Sequence, residues 1–314
     1  MLEIILGSLV PVFFVVAIGY LAGWMRDIDN HHVAGLTALV MDFALPAALF
    51  VAMAQTPRDL LLEQDTLMVV LAVSMLVIYG LYFFLQTSLF KLDSRQAAVG
   101  SLTTGLPNFA AGLPLISSIF GAKNTVSVGI SIAVGSIVMS PLTLVILEAG
   151  EKNEKDVPAL RRIIRAIGKS ILKPIVIAPM IGMVLTLCGV EAPRLLDASL
   201  TLIGVGAAGV ALFLTGLILS SQPFKLNGNV ASGTLLKNVV HPLLAAALVA
   251  ALAVSPLIGR EAIILSAVPS GFFCTLFGLR YGVVSQDAGS TLIATTLLSA
   301  ATLPAAILLT AGFH

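Results

Sequence analysis

The chain has 314 residues, of which 58% are hydrophobic and only 11% are charged. Its mean hydropathy is +1.05, whereas soluble domains carry about 25% charged residues. A chain of this composition cannot cover a water-soluble globule with polar surface, which excludes soluble enzymes and disordered tails. The net charge of +1 provides no field that would attract nucleic acid. We therefore expect an integral membrane protein in a lipid bilayer.

A transmembrane helix needs about 20 mainly apolar residues, and ten segments of the chain meet this requirement. In chain order they are 4–25, 33–52, 66–90, 96–120, 124–147, 169–189, 195–219, 230–254, 260–280 and 288–312. Glycine and proline lie inside these apolar runs and aromatic residues make up only 6% of the chain, which favours an all-α protein over a barrel of alternating strands. Glu3 precedes the first segment in place of basic residues, so we expect that segment to stay as a membrane helix and not to be cleaved as a signal.

The basic residues predict the orientation, because cytoplasmic loops carry an excess of Lys and Arg. With the N-terminus outside, twelve of the 17 basic residues lie in inside loops and four in outside loops, while Lys237 lies within a span. Both termini of this multi-pass protein are therefore predicted to lie outside.

The longest loop divides the ten spans into five and five. This gives a first five-helix repeat at 1–147, a cytoplasmic linker at 148–168 and a second repeat at 169–314. An odd number of spans in each half inverts the second half relative to the first, as in several families of membrane transport proteins. Three proline pairs at offsets of 162 or 163 support the repeat: Pro11 with Pro174, Pro107 with Pro269, and Pro141 with Pro304.

The fourth and ninth spans carry helix-breaking residues at equivalent points. These are Gly105, Pro107, Gly112 and Pro114 in the fourth span, and Pro269, Ser270 and Gly271 in the ninth. Proline removes a backbone donor and clashes with the preceding turn, and backbone groups freed at membrane depth must face protein or water.

A helix that restarts after a break presents unpaired N–H groups and the positive end of its dipole. Two such half-helix N-termini would form an anion site without a cationic side chain. The amides after Pro107 and Pro269 are the predicted donors, and the side chains of Asn108 and Ser270 would add hydrogen bonds. The alternative is a pair of kinked helices that bind no ligand.

The fourth span also carries a family resemblance. Its sequence LPNFAAGLPLISSIFG resembles the crossover segment of the auxin efflux carrier family, and the matching residues are Pro107, Asn108, Gly112, Pro114 and Gly121. The ninth span, AIILSAVPSGFFCTLFGLRYG, resembles the second crossover of that family, with Pro269 as its pivot. LPAALF at 45–50 resembles a stretch of the second span, so the likeness extends over nearly the whole chain.

The resemblance implies ten transmembrane helices in two inverted five-helix repeats with crossed broken helices, similar to the bile-acid symporter and antiporter folds. It also implies a scaffold domain and a transport domain, each built from both repeats, with elevator-type alternating access for organic anions. The chain lacks the long hydrophilic central loop of many plant members, so it resembles short bacterial carriers of malonate, malate or other small carboxylates in the cytoplasmic (inner) membrane. The predicted substrate-binding residues are Asn108, Phe109, Pro107, Ser270, Gly271, Pro269 and Thr104.

Three ionisable residues within spans are candidates for ion or proton coupling, because such residues are costly at membrane depth. Asp42 lies in the middle of the second span, where it is either a proton carrier, a helix–helix contact or a cavity residue. Lys237 and His241 share one helix face at a spacing of i and i+4. Lys237 either snorkels to the cytoplasmic surface or acts with His241 as a counter-charge or proton relay.

An enzyme is not expected, because G-x-S-x-G and H-E-x-x-H motifs are absent from the sequence. The sequence contains neither a nucleotide-binding P-loop nor a metal-ligand cluster, so no cofactor and no metal site are predicted. The expected partners are a small organic anion, a co-transported proton or sodium ion, and a second copy of the chain in a homodimer. The alternatives are an efflux carrier for an auxin-like aromatic carboxylate and a passive anion channel.

Overall fold

The computed structural model describes residues 2–26, 28, 30–62, 64–149, 161, 164, 168, 172–221, 223–271, 274, 278, 281–283 and 285–312. The regular secondary structure of these residues is helical, with no β-strand among them, which confirms the all-α prediction. Most of the predicted linker 148–168 lies outside the described residues.

The helices of the first half run in chain order from α1 to α9. They are α1 (Leu2–Trp24), α2 (Asn30–Ala38), α3 (Leu45–Ala54), α4 (Arg58–Leu62), α5 (Asp65–Phe84), α6 (Ser94–Gly105), α7 (Phe109–Phe120), α8 (Val126–Val134) and α9 (Ser140–Ala149). A 3-10 turn occupies Ala122–Thr125, and π-helical turns occupy Leu39–Ala44, Leu85–Leu89 and Gly135–Met139.

The helices of the second half follow the linker. They are α10 (Pro174–Leu187), α11 (Arg194–Gly204), α12 (Ala207–Ser221), α13 (Gly228–Leu235), α14 (His241–Ala251), α15 (Pro256–Ala267) and α16 (Gln286–Thr310). A fourth π-helical turn, Leu236–Val240, joins α13 to α14.

Five continuous helical segments are long and apolar enough to cross a membrane within the described part of the chain. They are Val33–Ala54, Asp65–Leu89, Arg194–Ser221, Gly228–Ala251 and Gln286–Thr310. Each coincides within a few residues with one of the ten predicted spans, so hydropathy located these five correctly. Shorter apolar helices include Phe109–Phe120 and Pro174–Leu187.

Contacts within the chain define two compact units. Unit 1 consists of Met1–Met68, Phe109–Ala133 and Leu172–Ser221, and unit 2 of Val69–Asn108, Val134–Ile171 and Gln222–His314. Each unit therefore combines segments from before and after the linker.

In unit 1, helices α1 and α12 pack backbone against backbone. A Cβ atom at Gly19 would collide with the carbonyl oxygen of Phe213, and one at Gly216 with that of Val16. Small residues let membrane helices approach this closely. Close packing matters here because the hydrophobic effect does not drive helices together in lipid. Two glycines on facing helices thus hold this pair together.

Helices α3 and α10, also in unit 1, form a second close pair. A Cβ atom at Gly182 would lie 2.7 Å from the carbonyl oxygen of Phe50. The hydroxyl of Thr186 donates a hydrogen bond to the carbonyl oxygen of Met53 over 2.9 Å. Unit 1 is thus assembled mainly through backbone contacts.

Unit 2 places polar side chains in its interior. Gln86, in the π-helical turn after α5, is 1% exposed, and its Nε2 donates to the carbonyl oxygen of Ala97 (3.0 Å) and to Oγ of Ser101 (3.2 Å). The hydroxyl of Tyr82 donates to the carbonyl oxygen of Asn229 over 2.9 Å. Buried polar groups need such partners because an unpaired one is costly, and these bonds join α5 to α6 and α13.

Candidate functional site

Two helices of unit 2 stop inside apolar sequence, as the proline pattern predicted. Helix α6 ends at Gly105 and α7 begins at Phe109, which leaves 106–108 as the first break. Helix α15 ends at Ala267, and 268–271 form the second break. Proline accounts for both, since it cannot donate to the preceding turn.

The two breaks are hydrogen-bonded to each other. The amide of Asn108 donates to the carbonyl oxygen of Pro269 over 2.7 Å, and the amide of Gly271 donates to that of Leu106 over 3.3 Å. Together they form an isolated antiparallel bridge between Pro107 and Ser270. Backbone groups freed at one break therefore find hydrogen-bond partners at the other break.

This bridge corrects one expectation. The first amides after each proline were predicted to donate to a ligand, but those of Asn108 and Gly271 are used in the bridge, and the amide of Ser270 donates to Oγ1 of Thr295 over 3.4 Å. These three N–H groups already have protein acceptors and are not free to donate to a ligand.

Gly271 allows the breaks to approach this closely. A Cβ atom at this position would lie 3.0 Å from the carbonyl oxygen of Pro107 and 3.4 Å from Cα of Asn108. A side chain at this position would press on the backbone of the first break, so the glycine favours the close approach of the two breaks.

Three buried hydroxyls beside the breaks have no hydrogen-bond partner in the part of the chain that the structure describes. The side chains of Thr104, Ser266 and Ser270 are 0% exposed, and none of their oxygens has a hydrogen-bond partner among the described residues. Neighbouring Thr103 behaves as expected for a membrane helix and donates to the carbonyl oxygen of Val99 over 2.9 Å. Buried polar groups are nearly always hydrogen-bonded, so three open hydroxyls in one region indicate a polar ligand or water.

The other residues predicted to bind substrate lie within the breaks or directly follow them in the sequence. Asn108 is 3% exposed, and Pro107, Pro269 and Gly271 are buried, all in unit 2. Phe109 is half-buried and is the first residue of α7, which packs in unit 1. Thr275, another polar residue close to the second break, lies outside the described residues.

Lys237 does not snorkel. Its side chain is 0% exposed, and its Nζ lies 3.2 Å from the carbonyl oxygen of Ser266 and 3.2 Å from Nδ1 of His241. His241 is also 0% exposed, and its Nε2 has no hydrogen-bond partner among the described residues. The predicted pairing at i and i+4 is confirmed, and it reaches the last turn of α15.

Asn238 was not singled out from the sequence, although it follows Lys237 directly. Its Nδ2 donates to the carbonyl oxygen of Thr295 (2.9 Å) and to Oγ1 of Thr302 (3.2 Å). Thr295 in turn accepts from the amide of Ser270. The π-helical turn Leu236–Val240 turns both Lys237 and Asn238 inward, and π turns are frequent at functional sites.

Asp42 differs from Lys237 in its surroundings. It also lies in a π-helical turn, Leu39–Ala44, but its side chain is exposed. A buried neutral carboxyl group is therefore not found here, and a role in coupling stays a prediction for this residue.

The whole chain matches one family of proteins. The sequence profile of the family described as "Membrane transport protein" covers residues 4–307. The chain belongs to this family, the auxin efflux carrier family. Its members are membrane transporters and not enzymes, as the sequence motifs predicted.

Two bacterial proteins are similar to the chain over nearly its whole length. The "Uncharacterized transporter YfdV" of Escherichia coli is 27% identical over 97% of both chains. A Rhizobium meliloti protein named "Putative malonate transporter" is 26% identical over 95% of this chain and 93% of its own length. The likeness thus spans both units and both breaks.

Proposed function

We propose that the chain is a secondary active transporter of small organic anions, such as malonate or malate, in the bacterial inner membrane. The pair of bonded breaks, with buried unpartnered hydroxyls beside it, is the single observation that carries this proposal. The transporter works by elevator-type alternating access and is linked to a proton or sodium gradient.

The donors at the breaks suit an anion better than a cation. Among the described residues, the buried hydroxyls of Thr104 and Ser270 have no protein acceptor. Carboxylate oxygens accept such hydrogen bonds, and charge-assisted bonds are about twice as strong as neutral ones. None of the seven predicted substrate-binding residues is acidic, so a bound carboxylate meets no fixed negative charge among them.

The contents of the two units support an inverted repeat. In unit 1 the first span packs on the seventh through α1 and α12, while the second packs on the sixth through α3 and α10. In an inverted repeat the first span corresponds to the sixth and the second to the seventh. Exchange of the two halves of the chain therefore turns each of these packed pairs into the other. Unit 2 combines the third span and the second half of the fifth with the eighth and tenth, as expected for scaffold and transport domains that each draw on both repeats.

Counterflow in proteoliposomes tests the proposal. Vesicles loaded with unlabelled malonate should take up radiolabelled malonate transiently, and the initial rate should saturate with concentration. Malate and other short carboxylates should compete. Preferential exchange of an indole carboxylate would favour the aromatic-anion alternative, and a rate linear in concentration would favour a channel. No exchange of any carboxylate would overturn the proposal.

A further inference from the structure

Lys237 and His241 bring two basic nitrogens into direct contact inside unit 2. Both side chains are 0% exposed, and Nζ of Lys237 lies 3.2 Å from Nδ1 of His241. The same Nζ lies 3.2 Å from the carbonyl oxygen of Ser266. In the part of the chain that the structure describes, no carboxylate lies within ion-pair distance of Lys237. A charge on this pair would therefore have no counter-charge among these residues.

The contacts of Lys237 fit an uncharged amine. A neutral amine has two N–H groups, and the carbonyl oxygen of Ser266 and Nδ1 of His241 are acceptors for both. An ammonium group has three donors and no acceptor function, and its third N–H would lack an acceptor among the described residues. Nδ1 of His241 accepts when the ring proton is on Nε2, which has no partner in the same part of the chain. The pair is thus hydrogen-bonded without carrying a charge.

The geometry allows the pair to hold one proton but not two. A proton added to Nζ leaves both hydrogen bonds in place, because an ammonium group donates to the same two acceptors. A second proton would place two positive charges 3.2 Å apart in a buried site. Like charges at this distance repel each other strongly in an interior of low dielectric. The two bases therefore form a site for a single proton.

The surrounding helices leave that site without a fixed counter-charge. The π-helical turn that carries Lys237 packs on α6, α13, α14, α15 and α16. Besides His241, the ionisable residues of these helices are Arg95, Arg260, Glu261 and Asp287. Neither of the two carboxylates is within ion-pair distance of Lys237. The buried thiol of Cys274 also acts on Lys237 electrostatically.

The pair adjoins the breaks at which the proposed carboxylate binds. Ser266 is the second-last residue of α15, and the second break follows at 268–271. A buried carboxylate is costly unless a positive charge compensates it. The helix ends at the first break supply no net charge, because α6 ends and α7 begins there with opposite ends of their dipoles. A proton on the pair would supply the missing positive charge.

We propose that Lys237 and His241 together form the proton-binding site of the transporter. The pair takes up one proton from water when a carboxylate binds at the breaks, and returns it to water when the anion leaves. This inference rests on the proposed anion transport and narrows its coupling to proton symport. The two residues act on the anion through their charge and not through contact with it.

Proton uptake during malonate binding tests this site, measured with a pH indicator in a lightly buffered detergent solution. At about pH 8 carboxyl groups are ionised, so free malonate brings no proton. The wild type should take up about one proton for each malonate bound. Lys237→Met keeps the length of the side chain but holds no charge, so it should bind malonate about tenfold or more weakly and take up no proton.

Two further variants separate the charge from the proton. Arginine keeps its proton at this pH, so Lys237→Arg should bind malonate without proton uptake. Lys225→Met is the matched control, because Lys225 is exposed, and it should behave as wild type. In proteoliposomes without sodium, an inward proton gradient should drive malonate uptake by the wild type and not by Lys237→Arg.

The wild-type measurement decides the inference even where a variant does not fold. Malonate binding by the wild type without proton uptake would overturn the proton site and leave the proposed anion transport standing. Equal proton uptake by the wild type and Lys237→Arg would also overturn it. If no carboxylate binds or exchanges, the proposed function and the proton site both fail.

Discussion

The two units of the protein solve the same problem, helix packing in an apolar chain, in different ways. In unit 1, glycines such as Gly19 and Gly216 bring helix backbones into direct contact. In unit 2, buried polar side chains such as Gln86 and Asn238 bond to the backbone of neighbouring helices. Helix backbones in direct contact offer no polar group to a ligand, whereas buried polar side chains do. The difference assigns the candidate site to unit 2.

The π-helical turns show the same contrast at the level of single residues. Asp42 and Lys237 are both ionisable residues that lie in π-helical turns of membrane-length segments. Asp42 is exposed in unit 1, while Lys237 is fully buried in unit 2. A similar backbone irregularity thus turns an ionisable side chain outward in one unit and inward, towards the end of α15, in the other.

The largest expected effect breaks the packing of unit 1. Gly216→Leu should lower the free energy of unfolding by about 3 kcal/mol or more, because the new side chain collides with the backbone of α1. Gly209→Leu in the same helix is the matched control, since a Cβ atom at Gly209 meets nothing within 4 Å. Thermal unfolding in detergent measures the difference. Equal melting temperatures for the two variants would show that backbone contact does not hold unit 1.

A second substitution separates the two breaks of unit 2. Gly271→Val should cost about 2 kcal/mol of stability and abolish malonate counterflow, because its side chain displaces the first break. Gly80→Val, at a position in α5 where a Cβ atom meets nothing within 4 Å, should leave counterflow intact. Full transport by Gly271→Val would mean that the bridge is not needed for function.

The smallest expected effect comes from a comparison of two neighbouring hydroxyls in helix α6 of unit 2. Thr104→Val removes a hydroxyl that has no partner among the described residues, so it should leave the melting temperature nearly unchanged and raise the half-saturating malonate concentration by about tenfold. Thr103→Val removes a hydroxyl already bonded to Val99 and should leave that concentration unchanged. Equal behaviour of the two variants in counterflow assays would remove Thr104 from the site.

Much of the fold followed from hydropathy and proline spacing. Five predicted spans are membrane-length helices, and the breaks after α6 and α15 occur at Pro107 and Pro269 as predicted. These features depend on local sequence, because chain length and proline chemistry decide them. The grouping of helices into two units depends on contacts between distant segments, which a single sequence does not encode in a readable pattern.

The site was predicted less completely, for a physical reason. Asn108 and Ser270 are buried beside the bonded breaks, but the use of their backbone amides in the bridge required the geometry. The sequence did not single out Asn238, because only its neighbour Lys237 is ionisable. A π turn that points both side chains inward has no sequence signature. In both cases the open question is where a backbone amide or a side chain points, and residue type alone does not specify this.

Ligand-induced thermal stabilisation of the wild type and of Asn108→Ala tests the central claim, that the bonded breaks of unit 2 bind an organic anion. Malonate or a related carboxylate should raise the melting temperature of the wild type in proportion to its occupancy. The same anion should leave the melting temperature of Asn108→Ala where it stands without ligand. A stabilisation that survives in Asn108→Ala would contradict the account and place the anion elsewhere.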